Sequence, residues 1–194
     1  LLGILCAVVG ILLCQSMHKG GTLYQRYFPN PYLRILAGSA IYIVLTLIFS
    51  SRLYNGGGLH LIERCFEGES VPYYAFLLKI LFTAVALGAG FKGGEIVPAL
   101  CVGATFGYTM AALLGMPSGL CAAVGMVCLF VSVTNCPVST MFMAFELFGF
   151  EAMPYFSLGV AISFTLSGYY GLYHSQKFVY SKIRTEYIDR KSNE

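Results

Sequence analysis

A glycine-rich segment over residues 88–98 has the residue pattern with the clearest chemical meaning in this chain. Its glycines precede an acidic residue, two aliphatic residues and a proline, in the order Gly88, Gly90, Gly93, Gly94, Glu95, Ile96, Val97 and Pro98. Glycine allows close approach of the backbone to a ligand, and proline suits the first turn of a helix because its missing N–H would have no partner there. A helix that begins here presents free N–H groups and a positive dipole end, which can hold an anion without a cationic side chain.

The strength of such a site is limited. A half-charge about 4 Å from a monovalent anion, at an effective dielectric constant near 20, contributes roughly 2 kcal/mol. Removing the water from an ion costs several kcal/mol. One helix end is therefore insufficient, and a working site needs a second helix end or further donors.

The glycines have two other interpretations. They could serve only close packing between membrane helices, and their spacing alone does not decide against this. Residues 88–93 also match Gly-x-Gly-x-x-Gly, the pattern of dinucleotide-binding turns. No acidic residue stands about twenty positions further on, and the surrounding chain is too apolar for a doubly wound domain, so the dinucleotide interpretation is disfavoured.

Composition indicates an integral membrane protein. Of the 194 residues, 57% are hydrophobic and 11% are charged, and the mean hydropathy is +0.73. The 50 residues from Ile96 to Phe145 contain no Asp, Glu, Lys or Arg. A net charge of +3 gives no reason to expect a nucleic-acid partner.

Hydrophobic runs and breaks predict an all-α, polytopic membrane fold whose helices are tilted, broken and partly re-entrant. Several runs are too short to cross a bilayer at right angles, and Pro or Gly interrupts them. The predicted helices cover Leu1 towards Tyr27, Ile35–Ser51, Leu59–Phe66, Pro72–Phe91, Val97–Leu114, Gly119–Thr134, Pro137–Phe148, Met153–Gly168 and Ser175–Ile188.

Other reactive residue types form no convincing site. The seven cysteines are mostly in apolar runs and indicate small buried hydrophobes rather than a metal or redox centre. His60 and Glu63 are three apart and are more typical of a solvated helix face than of metal ligands. No nucleophile with a base and no carboxylate pair is visible, so we expect neither an enzyme nor a cofactor. We expect the Glu95 carboxylate to point away from a bound anion and to stabilise the helix start, with proton transfer as the less favoured alternative.

Three segments resemble the second half of a CLC chloride channel or chloride/proton antiporter. Residues 94–98 resemble the Gly-x-Phe-x-Pro element of that family, residues 56–62 its upstream Gly-rich loop, and residues 177–183 the segment with its pore tyrosine. The resemblance implies the second of two inverted repeats, with a transmembrane domain over residues 1–174 and a final pore helix and cytoplasmic tail over residues 175–194. It also implies that this chain is the C-terminal half of a longer protein.

The resemblance implies specific roles at the site. Backbone N–H groups of Glu95 and Ile96, with the hydroxyl of Tyr180, would bind a central anion, and those of Ile96 and Val97 a more external one. Gly93, Gly94 and Pro98 would form the loop of the site. The other donors of the family and its gating glutamate belong to the first repeat, which is not in this sequence.

The nature of the anion stays open at this stage. Chloride is favoured, and a fluoride-exporting branch is the alternative, because the glycine-rich segment is closer to bacterial branches that include such exporters. Those exporters resemble one another in having a threonine and aromatic residues just after the glutamate, where this chain has Val97, Leu100 and Cys101. An alternative of a different functional class is that the chain serves the structure or assembly of a membrane complex and has no transport activity of its own.

The expected partners are chloride, the missing N-terminal half, the lipid bilayer and a second copy, which would meet this one partly through residues 137–168. The resemblance and the apolar composition place the protein in a bacterial inner membrane. Five basic residues near the end of the chain predict a cytoplasmic C-terminus, namely Lys177, Lys182, Arg184, Arg190 and Lys191.

Overall fold

The computed structural model describes residues 1–173 and 175–192, and these residues are mainly helical. The helices are α1 (Leu2–Tyr27), α2 (Pro31–Ile48), α3 (Leu59–Glu67), α4 (Ala75–Gly88), α5 (Ile96–Leu114), α6 (Ser118–Thr134), α7 (Pro137–Phe148) and α8 (Met153–Leu166). Two short strands follow, β1 (Lys177–Tyr180) and β2 (Tyr187–Lys191). His174, at the predicted domain boundary, and the last two residues of the predicted tail lie outside the described residues.

The first eight predicted helices are confirmed, with shifts of a few residues at their ends. Helix α1 continues past His18 and ends at Tyr27, before Pro29. Helix α2 begins earlier than predicted, at Pro31, because Asn30 caps it: the Asn30 side chain accepts the N–H of Tyr32 at 3.0 Å. Within the described residues, α1, α2 and α5 are long and apolar enough to cross a membrane.

Helices α5 and α6 form the centre of the fold and pack closely along glycines. A Cβ atom added at Gly107 would lie 2.0 Å from the carbonyl oxygen of Cys121, and one at Gly125 would lie 2.5 Å from that of Gly103. Only glycine permits backbones to approach so closely. Helix α1 lies across this pair and also contacts α4 and α8. The packing therefore fixes the position of α5, the helix that begins at the glycine-rich segment.

Several helices are too short to span a bilayer. Helix α7 has 12 residues, and helices α4 and α8 have 14 each. At 1.5 Å per residue a 12-residue helix is about 18 Å long, against about 30 Å for the hydrocarbon core. Left-handed residues end two of the central helices, Gly115 after α5 (φ 63°) and Asn135 after α6 (φ 58°).

The helix predicted over Ser175–Ile188, and with it the final pore helix, is wrong in this structure. Residues 177–191 form an antiparallel hairpin in which Phe178 faces Arg190 and Tyr180 faces Tyr187. The reason is local chemistry. Aromatic and β-branched residues favour strands, and the Ser181 hydroxyl accepts the N–H of Arg184 at 3.3 Å, which stabilises a turn.

Candidate anion site

The predicted break between two apolar helices is present. Helix α4 ends at Gly88, and α5 begins at Ile96. Gly90 has φ 99°, a conformation that side-chain-bearing residues rarely adopt, which explains a glycine at this point of the turn. Gly93 and Gly94 are exposed. A seven-residue non-helical segment, residues 89–95, therefore separates the start of α5 from α4.

The first turn of α5 has N–H groups without protein acceptors. Glu95 is the N-cap, and its side chain makes no capping hydrogen bond. Pro98 has no N–H, and the N–H of Ala99 donates to the carbonyl of Glu95 at 3.2 Å. Among the described contacts, no acceptor receives the N–H of Ile96 or Val97. These are two of the amides that the sequence resemblance assigns to anion binding.

A cleft of about 390 Å³ lies against the start of α5. The break contributes Phe91, Gly93, Gly94, Val97 and Pro98 to its wall. The rest of the wall is mainly aromatic and aliphatic, and comes from α2, the loop before α3 and α4: Tyr42, Tyr54, Gly56, Gly57, Leu59, Phe82, Thr83, Ala86 and Leu87. The lining contains no charged side chain, so backbone amides and hydroxyl groups supply the polar chemistry of the cleft.

A buried lysine lies behind one wall of this cleft. The Lys79 side chain, on α4, is 0% exposed and donates to the carbonyl oxygens of Tyr54 (3.0 Å) and Gly56. Both acceptors belong to the glycine-rich loop of residues 54–58, which precedes α3. No role is assigned to Lys79 in the sequence analysis. A charged residue within an otherwise apolar membrane helix is usually functional, and this feature of the sequence could have singled out Lys79.

The Glu95 carboxyl group is part-buried and faces α1. His18 and Cys14, both on α1, are the groups with which it interacts electrostatically. Glu95 does not line the cleft. That the carboxylate points away from a bound anion stays a prediction.

Tyr180 lies in the hairpin and not beside the break. It belongs to β1, is 69% exposed, and its ring contacts that of Tyr187 at 6.1 Å between centroids. Strand β1 pairs with β2, and no described ring contact or hydrogen bond joins Tyr180 to the start of α5. The role of Tyr180 as an anion ligand stays a prediction.

The hairpin is held to the helices through Lys182. Its ammonium group donates to the Asn135 side chain, the Phe164 carbonyl (2.9 Å) and the Ser167 hydroxyl (3.0 Å), groups at the C-terminal ends of α6 and α8. A cation is favourable at helix C-termini. Burial lowers the pKa of Lys182 from 10.5 to about 8.

Residues 1–168 match the family described as voltage gated chloride channel. The matched part includes the whole break and ends before the hairpin. A chloride/fluoride channel protein from Pseudomonas syringae pv. tomato is 36% identical over 186 residues, which cover 93% of this chain and 41% of that protein. An H(+)/Cl(-) exchange transporter, ClcA, from Vibrio vulnificus is 28% identical over 160 residues, which cover 76% of this chain and 34% of the relative.

A solved structure has the same fold. The crystal structure of a CLC-type fluoride/proton antiporter superimposes with a TM-score of 0.86 at 30% identity, over 89% of this chain and 44% of that one. The predicted fold, a mainly helical membrane protein that corresponds to one half of an inverted-repeat transporter, is thereby confirmed. The chain spans about two-fifths of the length of the first of these relatives.

Proposed function

This chain belongs to the voltage gated chloride channel (CLC) family, and on that premise we propose that the complete protein containing it carries a halide ion across a membrane. The chain itself is proposed to be the C-terminal half of that protein, and its contribution to the anion site is the start of α5. Transport is proposed to need no cofactor besides the ion.

One observation supports this proposal above the others. The N–H groups of Ile96 and Val97 have no acceptor among the described contacts, and Val97 lines the 390 Å³ cleft with Gly93 and Gly94. Unused amides beside a cleft, in a chain of this hydropathy, are suited to replacing part of the water around an anion. Because one helix end contributes only roughly 2 kcal/mol, the site needs partners from the other half.

Fluoride and chloride are both candidates for the ion, and we propose fluoride first. Two relatives that cover about nine-tenths of this chain name fluoride in their descriptions, the Pseudomonas protein and the solved antiporter. The Vibrio exchangers, which name chloride, are less similar and cover less of the chain. Val97, where a threonine is expected in fluoride exporters, favours chloride as the second candidate.

Flux from liposomes tests the proposal. The complete protein is reconstituted with internal sodium fluoride or sodium chloride, and release is followed with an ion-selective electrode. We expect release of fluoride above that of chloride, and no release of either from vesicles holding only residues 1–194. Protein that is folded and correctly inserted but releases neither halide would refute the proposal. Release by the 194 residues alone would refute the argument that this chain supplies only part of the anion site.

A tyrosine pair offers a matched test of the predicted ligand. Tyr180 and Tyr187 are both 69% exposed and face each other across the hairpin. We expect Tyr180→Phe to change halide affinity or selectivity, measured by calorimetry, and Tyr187→Phe to leave both unaltered. Equal behaviour of the two variants would remove Tyr180 from the site.

We further propose a homodimer and a cytoplasmic C-terminus. The basic residues of the hairpin support this orientation through the positive-inside tendency. Protease added to sealed, right-side-out vesicles should leave the hairpin intact, and cross-linking in detergent should give dimers. Cross-linked dimers without any halide flux would favour the alternative in which the chain serves assembly alone.

A further inference from the structure

Lys79 is the charged side chain that this structure buries completely, and no other Asp, Glu, Lys or Arg is buried among the described residues. It lies on α4, one of the apolar helices. A charge inside an apolar helix is costly unless it is partnered, and such residues are usually functional. Its partners are therefore informative.

Both hydrogen-bond partners of Lys79 are backbone carbonyls of one loop, those of Tyr54 (3.0 Å) and Gly56. The approach requires a glycine. At Gly58, which has φ 88°, an added Cβ would lie 2.6 Å from the Cys101 sulfur and 3.0 Å from Cε of Lys79. The ammonium group is thus held between the loop and the second turn of α5.

The same loop forms part of the cleft at the break. Tyr54, Gly56 and Gly57 line the cleft together with Val97, and an added Cβ at Gly57 would lie 3.2 Å from Cγ1 of Val97. On the cleft side, the N–H of Gly56 donates to the hydroxyl of Tyr42, another lining residue, at 3.3 Å. The loop therefore directs an N–H towards the cleft and two carbonyls towards Lys79.

We infer that Lys79 is a positioning residue for the halide site, an inference that rests on the proposed function. Its ammonium group holds the carbonyl oxygens of Tyr54 and Gly56 away from the cleft, where they would repel an anion. It also supplies a fixed positive charge behind the wall, which adds to the field of the α5 helix end.

Three substitutions in the complete protein separate charge from packing. Lys79→Met removes the charge and the donors, Lys79→Gln retains a donor without charge, and Lys79→Arg retains the charge. Lys19→Met, at an exposed position on α1, is the matched control. Fluoride and chloride affinities are measured by calorimetry, together with liposome flux and the melting temperature.

We expect the Met and Gln variants to lose about tenfold in halide affinity, which corresponds to about 1.4 kcal/mol of lost Coulomb attraction between the ammonium group and the ion. Lys79→Arg should stay within about threefold of the wild type, by the same charge argument. Lys19→Met should not change affinity. A merely structural lysine would lower the melting temperature of the variants without changing the affinity of the folded protein.

The outcomes distinguish this inference from the proposed function. Wild-type protein that binds and transports a halide, with unchanged affinity in folded Lys79→Met or Lys79→Gln, overturns the inference alone. Wild-type protein without halide binding overturns the proposed function and the inference together. If neither neutral variant folds, Gly58→Ala in a Cys101→Ala background, compared with Cys101→Ala alone, decides: without the Cys101 sulfur, the atoms nearest the added Cβ are Cε and Nζ of Lys79, at 3.0 and 3.2 Å. Loss of affinity in that variant supports the inference, and unchanged affinity overturns it.

Discussion

Replacing Gly107 by alanine tests whether close packing of α5 on α6 holds the anion site in place. The added Cβ would lie 2.0 Å from the carbonyl oxygen of Cys121 and 2.8 Å from its carbonyl carbon. The first distance falls more than about 1 Å short of ordinary van der Waals contact. Both atoms belong to the backbone of α6, so no side-chain rotation relieves the clash. The two helices must move apart.

The expected cost follows from two opposing effects. Overpacking in a close-packed core costs about 1–3 kcal/mol, and a backbone obstacle favours the upper end of that range. Alanine in place of glycine inside a helix returns about 1 kcal/mol. The net loss is therefore about 2 kcal/mol, which lowers the melting temperature by roughly 2 °C in a complete protein more than twice as long as this chain.

A matched control uses the same substitution where space is open. Gly21 lies within α1, and an added Cβ there meets nothing within 4 Å. Gly21→Ala should therefore raise the melting temperature slightly, by the helix-propensity gain alone. The assay is thermal unfolding of the complete protein in detergent, with halide calorimetry on the folded fraction. Because α5 carries the amides of Ile96 and Val97, we expect Gly107→Ala also to weaken halide binding. Equal melting temperatures for the two variants would refute the packing argument.

Three further outcomes are expected from the structure. Cys136 is exposed and the other six cysteines are buried, so a maleimide reagent should label Cys136 alone in the native protein, as read by mass spectrometry after digestion. Asn135 has φ 58° and donates to the Tyr170 carbonyl at 2.8 Å. In thermal unfolding, Asn135→Ala should therefore lower the free energy of unfolding by about 2 kcal/mol, because it loses the hydrogen bond and strains the backbone, and Asn135→Gly by about half of that, because glycine tolerates this φ. Between pH 8 and 10.5 the unfolded chain binds more protons at Lys182 than the folded chain does, so the stability of the hairpin should rise with pH. Hydrogen-exchange protection of the hairpin, corrected for the intrinsic exchange rate, should show this rise. Lys182→Met should abolish it.

Helices and their breaks could be predicted from the sequence because each has a local cause. Apolar runs define α5 to α8, and Pro117, Pro137 and Pro154 stand within the first turn of α6, α7 and α8 or just before it. The break before α5 was predicted from its glycines and Pro98, and the structure has it at the same residues. Local signals of this kind do not depend on the rest of the fold.

Features that depend on contacts distant in sequence could not be predicted in this way. Lys79 lies 23 positions after Gly56, and no local pattern joins its ammonium group to that carbonyl. For the hairpin, the strand-favouring residues and the turn at Ser181 are local signals, but no local pattern indicates the cross-strand pairs or the contact of Lys182 with Asn135, 47 positions away, which stabilise it. The break before α5 therefore could be located from the sequence, while the residues that orient the wall of the cleft could not.

Energetics support the proposal that this chain supplies only part of a halide site. The α5 helix end contributes roughly 2 kcal/mol to holding an anion, and the dehydration of that anion costs several kcal/mol. In our inference the Lys79 charge attracts the anion, but the carbonyl oxygens of Tyr54 and Gly56, which accept hydrogen bonds from Lys79, partly offset that charge. Glu95 faces α1 and opposes binding less than it would from within the cleft. The remaining donors must come from outside this chain. Under the proposed function the halide site closes only when two repeats meet, so halide binding should report assembly as well as transport.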